Sequence, residues 1–252
     1  PDGLHTGWHD NGQKKFEDNY KDGQLVGLCT RWYENGQKEQ EVRFKNGEED
    51  EKGYSWYRNG QLKFEGEFKN GMRDGIRTEW YASGEKQSVT QFNSDIKNGL
   101  EMTWRDDGQL ESNASYNQDV ELSSTRFKYY ENGKKMSETH FKNGVRDGIR
   151  TEWHENGKKL SVTQFNSDMK NGLEMTWWDD GQLESQANFK LGKLDGLGTV
   201  WYKSGQKRSE INYKNGKKDG LSTQWHKNGE KWEEINYKEG ELLDGFWSSW
   251  NE

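Results

Sequence analysis

A chain of 252 residues that is 28% hydrophobic, with Leu, Ile, Val and Phe together only 38, cannot be organised around an ordinary aliphatic core. Its formal charge of −7, with lysines interleaved among acids, argues against general affinity for nucleic acid or anionic lipid. Cys29 stands alone, so no intrachain disulfide or cysteine metal cluster can form, and no apolar run approaches the ~18 residues of a membrane span.

What the chain has instead is a period. Trp8, Trp32, Trp56, Trp80, Trp104, Trp153, Trp177, Trp201, Trp225 and Trp250 follow one another at 24 residues or small multiples of it, with an occasional extra residue; Tyr129 fills the missing rung. A second column runs Tyr20, Phe44, Phe68, Phe92, Tyr116, Phe141, Phe165, Phe189, Tyr213 and Tyr237. Disorder does not explain aromatics held at fixed spacing, whereas a tandem repeat that grows by neighbour contacts does.

In chain order, each repeat opens on a strand that ends at the Trp. A turn follows: Asn-Gly at Asn11, Asn35, Asn59, Asn132, Asn156 and Asn228, Asp-Gly at Asp107 and Asp180, Ser-Gly at Ser83 and Ser204. This signal predicts a type I′ hairpin turn. A returning strand leads to a second turn, around Asn70-Gly71 and Asp74-Gly75, which recurs at 143–148 and 215–220 and joins one hairpin to the next. Leu100, Met102 and Trp104 alternate with Glu101 and Thr103, and Ile211 and Tyr213 point together, a period of two that excludes helix.

The expected fold is all-β: an elongated tandem β-hairpin repeat array, a twisted single-sheet ribbon of about ten 24-residue hairpins, roughly 95 Å long at ~4.8 Å per strand. Each hairpin is expected to have one apolar and one polar face, with the Trp and Phe/Tyr columns forming an aromatic ladder as the core. Residues 1–252 read as a single array. Within it, 68–117 and 141–190 are near-duplicates, matching at 38 of 50 positions. Residues 118–131 are irregular, with a bulge or bend expected near Val120–Arg126, and Glu48–Gly53 is a second departure. Residues 241–252, with Phe246, Trp247 and Trp250, read as a C-terminal cap.

The pattern D-G-x-x-T-x-W-Y-x-N-G-x-K-x-x-E-x-x-F-K-N-G, present at 27–47, 75–84 and 196–216 with small changes, resembles the MORN-variant repeat of the YwqK-type proteins. That resemblance covers nearly the whole chain. It implies an antitoxin- or immunity-like factor, and MORN-bearing relatives that serve as scaffolds or contact lipids. No catalytic residue belongs to the repeat.

The residues themselves predict no enzyme, cofactor or metal. The five histidines show no metal-ligand spacing, Asp74, Asp147 and Asp219 read as Asx hydrogen-bonding residues, and Cys29 and the serines lack a paired base. The candidate contact surface is a third column, the residue after each Trp: Tyr33, Tyr57, Tyr81, Tyr130, His154, Trp178, Tyr202 and His226, with His9 and Arg105 completing it. Such a stripe suits stacking on sugar rings or holding a peptide; its bland reading is cross-strand pairing worth roughly 0.2–1 kcal/mol each. Trp178, Trp232 and Trp247 stand off the Trp and Phe/Tyr ladders.

The expected role is a non-enzymatic scaffold that binds another protein, with avidity from many similar contacts. A glycan-binding module that takes polysaccharide and a structural spacer are the alternatives, and self-association through apolar faces or free end strands is open. The start at Pro1 without a methionine is consistent with a removed signal segment or further repeats, so cytoplasmic and exported locations both stand.

Overall fold

A computed structural model describes residues 2–249, with side chains described as far as Leu243. Trp250, and the side chains of Phe246 and Trp247 on which the expected cap rests, lie outside the described residues. Contacts divide the chain into two compact units, Pro1–Ser124 and Thr125–Glu252, the boundary falling inside the irregular stretch.

The N-terminal unit holds β1 (Gly3–Trp8), β2 (Lys14–Lys21), β3 (Gln24–Leu25), β4 (Gly27–Trp32), β5 (Lys38–Lys45) and β6 (Glu48–Trp56). It continues with β7 (Leu62–Lys69), β8 (Met72–Trp80), β9 (Lys86–Asn93), β10 (Ile96–Trp104), β11 (Leu110–Asn117) and the start of β12 (Val120–Tyr129). The C-terminal unit takes the rest of β12, then β13 (Lys135–Lys142), β14 (Val145–Trp153), β15 (Lys159–Asn166), β16 (Met169–Trp177) and β17 (Leu183–Lys190). It ends with β18 (Lys193–Trp201), β19 (Lys207–Lys214), β20 (Lys217–Trp225), β21 (Lys231–Lys238) and β22 (Glu241–Ser249). Each unit is a run of antiparallel hairpins, so the chain is the all-β tandem array that its period predicts. At the irregular repeat, β12 runs over ten residues where β10 and β14 have nine, and Ser124 is buried.

The first turn is not the type I′ turn expected of it. At Asn35-Gly36 only the glycine has positive φ, 82°. Gly36 N–H donates to the Tyr33 carbonyl and Tyr33 N–H to that of Gln37, a type I turn closed by a left-handed glycine. Asn35 Oδ1 accepts from Gln37 N–H at 3.1 Å, which keeps the asparagine right-handed. The type I′ turns lie at the other end of the hairpins: Asn70-Gly71 has φ 50° and 75°, and Ser94-Asp95 has 50° and 67°. Asp74-Gly75 is no turn. It is a bulge inside β8, where the register jumps from Phe68↔Arg73 to Gly66↔Arg77. Gly75 sits there at φ 120° opposite Phe92, and in the equivalent place opposite Phe68 stands Glu51 at φ 66°.

The expectation of one apolar and one polar face is also corrected. Leu197 pairs with Asn212 and Gly198 with Ile211, so Ile211 lies on the face opposite Leu197. The buried aliphatic and aromatic side chains follow the Ile211 side, with Val42 3% exposed and Phe92 and Ile235 7%; on the other face Leu100 is 64% exposed and the threonines Thr30, Thr199 and Thr223 are buried. Apolar residues therefore sit on both faces, and only one face is a core. Its remaining positions are small and polar, with Thr90 and Thr163 buried and bonded to Glu101 and Glu174.

The aromatic ladder does not form. Trp8 is 61% exposed, every other described ladder Trp is half-buried, and of the Phe/Tyr column only Phe92 and Phe165 are buried. Equivalent rings are two strands apart, about 9.6 Å, beyond the ~4.5–7 Å at which aromatic rings pair. Cations from the intervening strand fill the gap. Lys14 lies 5.1 Å from the Trp32 ring, Lys38 5.6 Å from Trp56 and Lys159 5.9 Å from Trp177. On the core face Arg73 covers Phe92 at 4.2 Å and Arg146 covers Phe165 at 4.5 Å. Each such contact contributes about 0.5–1 kcal/mol at exposed sites.

Candidate functional site

The third column lies on the core face, beyond the bulge that ends each first strand. Its polar tips are engaged by the chain itself. Tyr33 donates to the Trp56 carbonyl at 2.7 Å, Tyr57 to Trp80 at 2.8 Å and Tyr81 to Trp104 at 2.9 Å. In the C-terminal unit Tyr130 donates to Trp153 at 2.7 Å, His154 Nε2 to Trp177 at 2.9 Å and Tyr202 to Trp225 at 2.9 Å. His9 does the same to Trp32 at 2.8 Å. Each is a clasp spanning 23 residues, from one repeat to the next.

A second clasp runs beside it. Asn35 Nδ2 donates to the Arg58 carbonyl at 2.8 Å, Asn59 to Ala82 at 2.8 Å and Asn156 to Asp179 at 2.7 Å. The turn asparagine thus holds its own turn through Oδ1 and the next repeat through Nδ2. On the far edge, Asp74 Oδ2 accepts from Ser94 N–H and Asp219 Oδ2 from Glu239 N–H. These acids act across a hairpin, from its opening strand to the turn that leaves it, and not within one Asx turn.

Trp178 breaks the series. Its indole Nε1 is enclosed without an acceptor, and no side chain among the described residues donates to the Trp201 carbonyl. The turn residue of that repeat is Asp180, which has no amide hydrogen to give; its Oδ1 accepts from Gln182 N–H at 2.9 Å. Lys203 reaches back instead, 2.8 Å from Asp179 and 3.8 Å from Asp180. That pairing holds the Asp179 carboxyl below its ordinary value and raises Lys203 above its own. Where both clasps are missing a groove of 650 Å³ opens, lined by Trp178, Trp201, Tyr202, Lys203, Ser204, Arg208 and Lys227.

A second groove, of 420 Å³, lies on the N-terminal unit beside Tyr33, Trp56 and Tyr57, with Arg31, Lys63 and Arg77 balanced by Glu39 and Glu79. Burial, then Glu39, raises the Tyr33 phenol, and burial raises Tyr81. Of the other predicted contact residues, His226 sits 6.1 Å from the Trp232 ring. The structure gathers Tyr33 with Tyr57 in one groove and Trp178 with Tyr202 in another.

No catalytic arrangement is present in these grooves. Among the described residues no group of three or more His, Cys, Asp and Glu is placed to hold a metal. Cys29 is buried beside Asp18, and burial pushes its thiol up, away from the thiolate a nucleophile needs. No helix among the described residues is long and apolar enough to cross a membrane.

One surface escaped the sequence reading. Leu4, Leu28, Ile76 and Leu100 of the N-terminal unit are 42–64% exposed, on the face away from the core. Ile149, Leu197 and Leu221 of the C-terminal unit, at the same place in their repeats, are 42–49% exposed. The signal was their offset of one residue from the bulge glycine. That places them on the opposite face from the glycine's partner, the Phe/Tyr column.

The MORN repeat variant family matches residues 1–22, 25–46, 52–70, 124–143, 146–167, 170–191, 194–215 and 218–239. No curated protein matches the chain. Among solved structures, similarity extends to TcdB2-TccC3-Cdc42, at 11% identity and TM-score 0.22, over 98% of this chain and 17% of that one. It also extends to the Photorhabdus luminescens Tc holotoxin pore, at 13% identity and TM-score 0.25, over 92% of this chain and 15% of that one. The chain spans less than a fifth of either, and likeness at this level carries no argument about role.

Proposed function

The chain belongs to the MORN repeat variant family, and from that premise we propose that it is a non-catalytic scaffold that binds another protein along the outer face of its hairpins. The observation that carries this reading is the aliphatic column. An aliphatic side chain exposed at the same position in seven repeats, interrupted at Lys52 and at half-buried Leu173, is more than the scattered exposure of an ordinary surface. Each contact is small, and a partner touching several gains avidity from the rest. In the third column, by contrast, the tyrosines from Tyr33 to Tyr202, with His9 and His154, have their polar tips committed to the clasps. Neutralising a toxin or effector is the specific form that the YwqK-type resemblance suggests.

The test is a pair of variants, Leu28→Asp with Leu100→Asp and Ile149→Asp with Leu221→Asp, used with the full chain in affinity capture. Both pairs are exposed, so thermal stability should hold while the protein retained by wild type is lost. Undiminished retention of that protein by both variants would refute the outer face as its binding surface.

A further inference from the structure

We infer that the groove at Trp178 is a binding site for a hydroxylated ring bearing a carboxylate, a hexuronate unit of an acidic polysaccharide. The inference stands apart from the protein-binding reading, which concerns the other face.

The groove is what remains when one repeat junction is left unclasped. At the flanking junctions a hydroxyl or imidazole N–H fills the Trp carbonyl: His154 at Trp177 and Tyr202 at Trp225. Between them the Trp201 carbonyl receives no side-chain donor, and the Trp178 N–H has no acceptor. A single sugar hydroxyl can answer both, donating to the carbonyl and accepting from the indole after a small ring rotation. An unmet buried donor costs roughly 1–3 kcal/mol, so satisfying it favours the bound state.

The remaining lining fits the rest of such a ligand. The indole of Trp178 and the Tyr202 ring line the groove, aromatic side chains of the kind on which the C–H face of a pyranose stacks. Arg208 stands 6.0 Å from the centre of the Tyr202 ring, and Lys227 lines the same groove. Lys203 is already matched by Asp179, which leaves Arg208 and Lys227 as the cations for an incoming carboxylate. No acid lines this groove, in a chain whose formal charge is −7. Its 650 Å³ suits a ligand of one or two rings. The N-terminal groove lacks this selectivity, because Glu39 and Glu79 stand among its cations.

The experiment is calorimetric titration of the full chain with trigalacturonate, maltotriose and triglutamate in parallel. Trigalacturonate should bind and maltotriose should not. Trp178→Tyr restores the hydroxyl that the other repeats have, so it should close the junction, keep or raise the Tm and weaken trigalacturonate at least about tenfold. Arg208→Gln should weaken it without affecting the fold. Absent trigalacturonate binding, or equal affinity in Trp178→Tyr, would overturn the assignment. Tighter binding of triglutamate would overturn it as well, by making the groove an acidic-peptide site.

Discussion

The phenol hydroxyl of Tyr57 donates to the main-chain carbonyl of Trp80 at 2.8 Å, joining two repeats through the residue that follows one tryptophan and the backbone of the next. The bond is part-buried and has its counterpart at Tyr202 and Trp225. Tyr57→Phe removes only the hydroxyl and should lower stability by about 1 kcal/mol. Tyr202→Phe should do the same, and because the two share no partner the double variant should be additive within ~0.5 kcal/mol. Urea unfolding of the three variants is the check; unchanged midpoints would mean the clasps are exchanged for water at no loss.

Leu191 occupies the first position of a type I′ turn at φ 50°, where Asn46, Asn70, Asn143 and Asn215 stand in other repeats at φ 50–52°. It is 64% exposed, so no packing offsets the strain of a left-handed leucine. Leu191→Asn should stabilise the chain by roughly 0.5–1 kcal/mol, and Leu191→Val, with a branched Cβ, should destabilise it. Thermal melts of both variants against wild type test the pair. A Leu191→Val variant as stable as Leu191→Asn would remove the strain argument.

The hairpin array was legible because its signals are local: the 24-residue period, the alternation in Leu100–Trp104 and the Asn-Gly turns lie within a few residues of what they specify. Turn type was not, since Asn-Gly suits both a type I′ turn and a type I turn with a left-handed glycine. The choice at Asn35 is made by a carboxamide that reaches Arg58 in the next repeat. The two faces were confused for a related reason. Asp74-Gly75 reads as a turn, and once it is a bulge the parity between Ile76 and Phe92 is set by the register across it. Trp178 was visible as an off-ladder tryptophan, but that Trp201 loses a donor there follows only from the clasps of the other repeats.

The acid response follows from the aspartates that tie each hairpin's opening strand to the turn that leaves it. The Arg73 side chain, then its backbone N–H, holds Asp95 below the ordinary aspartate value, and Arg146 does the same to Asp168. The backbone N–H of Glu239 is the largest influence lowering Asp219. A carboxylate lowered by folding contributes stability that is complete above its unfolded pKa and lost as pH falls through the folded one. The Tm should therefore be insensitive to these groups between about pH 5 and 7 and drop below about pH 4. Asp95→Asn combined with Asp168→Asn should lower the neutral-pH Tm and flatten the acid limb. An acid limb identical to wild type would place the sensitivity elsewhere.

Phe92 and Trp104 separate a core built on one face from one built on an aromatic ladder. Phe92 is 7% exposed under the Arg73 guanidinium, whereas Trp104 is half-buried and accepts the Tyr81 hydroxyl through its backbone alone. Phe92→Ala removes a buried ring and leaves Arg73 over a void, so it should cost about 3–5 kcal/mol. Trp104→Ala leaves the clasp carbonyl in place and removes a ring already partly in water, so a smaller loss of about 1–2 kcal/mol is expected. Were tryptophans the core, the larger side chain would give the larger loss. Denaturant unfolding of both variants decides between them, and a Trp104→Ala penalty equal to or above that of Phe92→Ala would return the ladder to the interior.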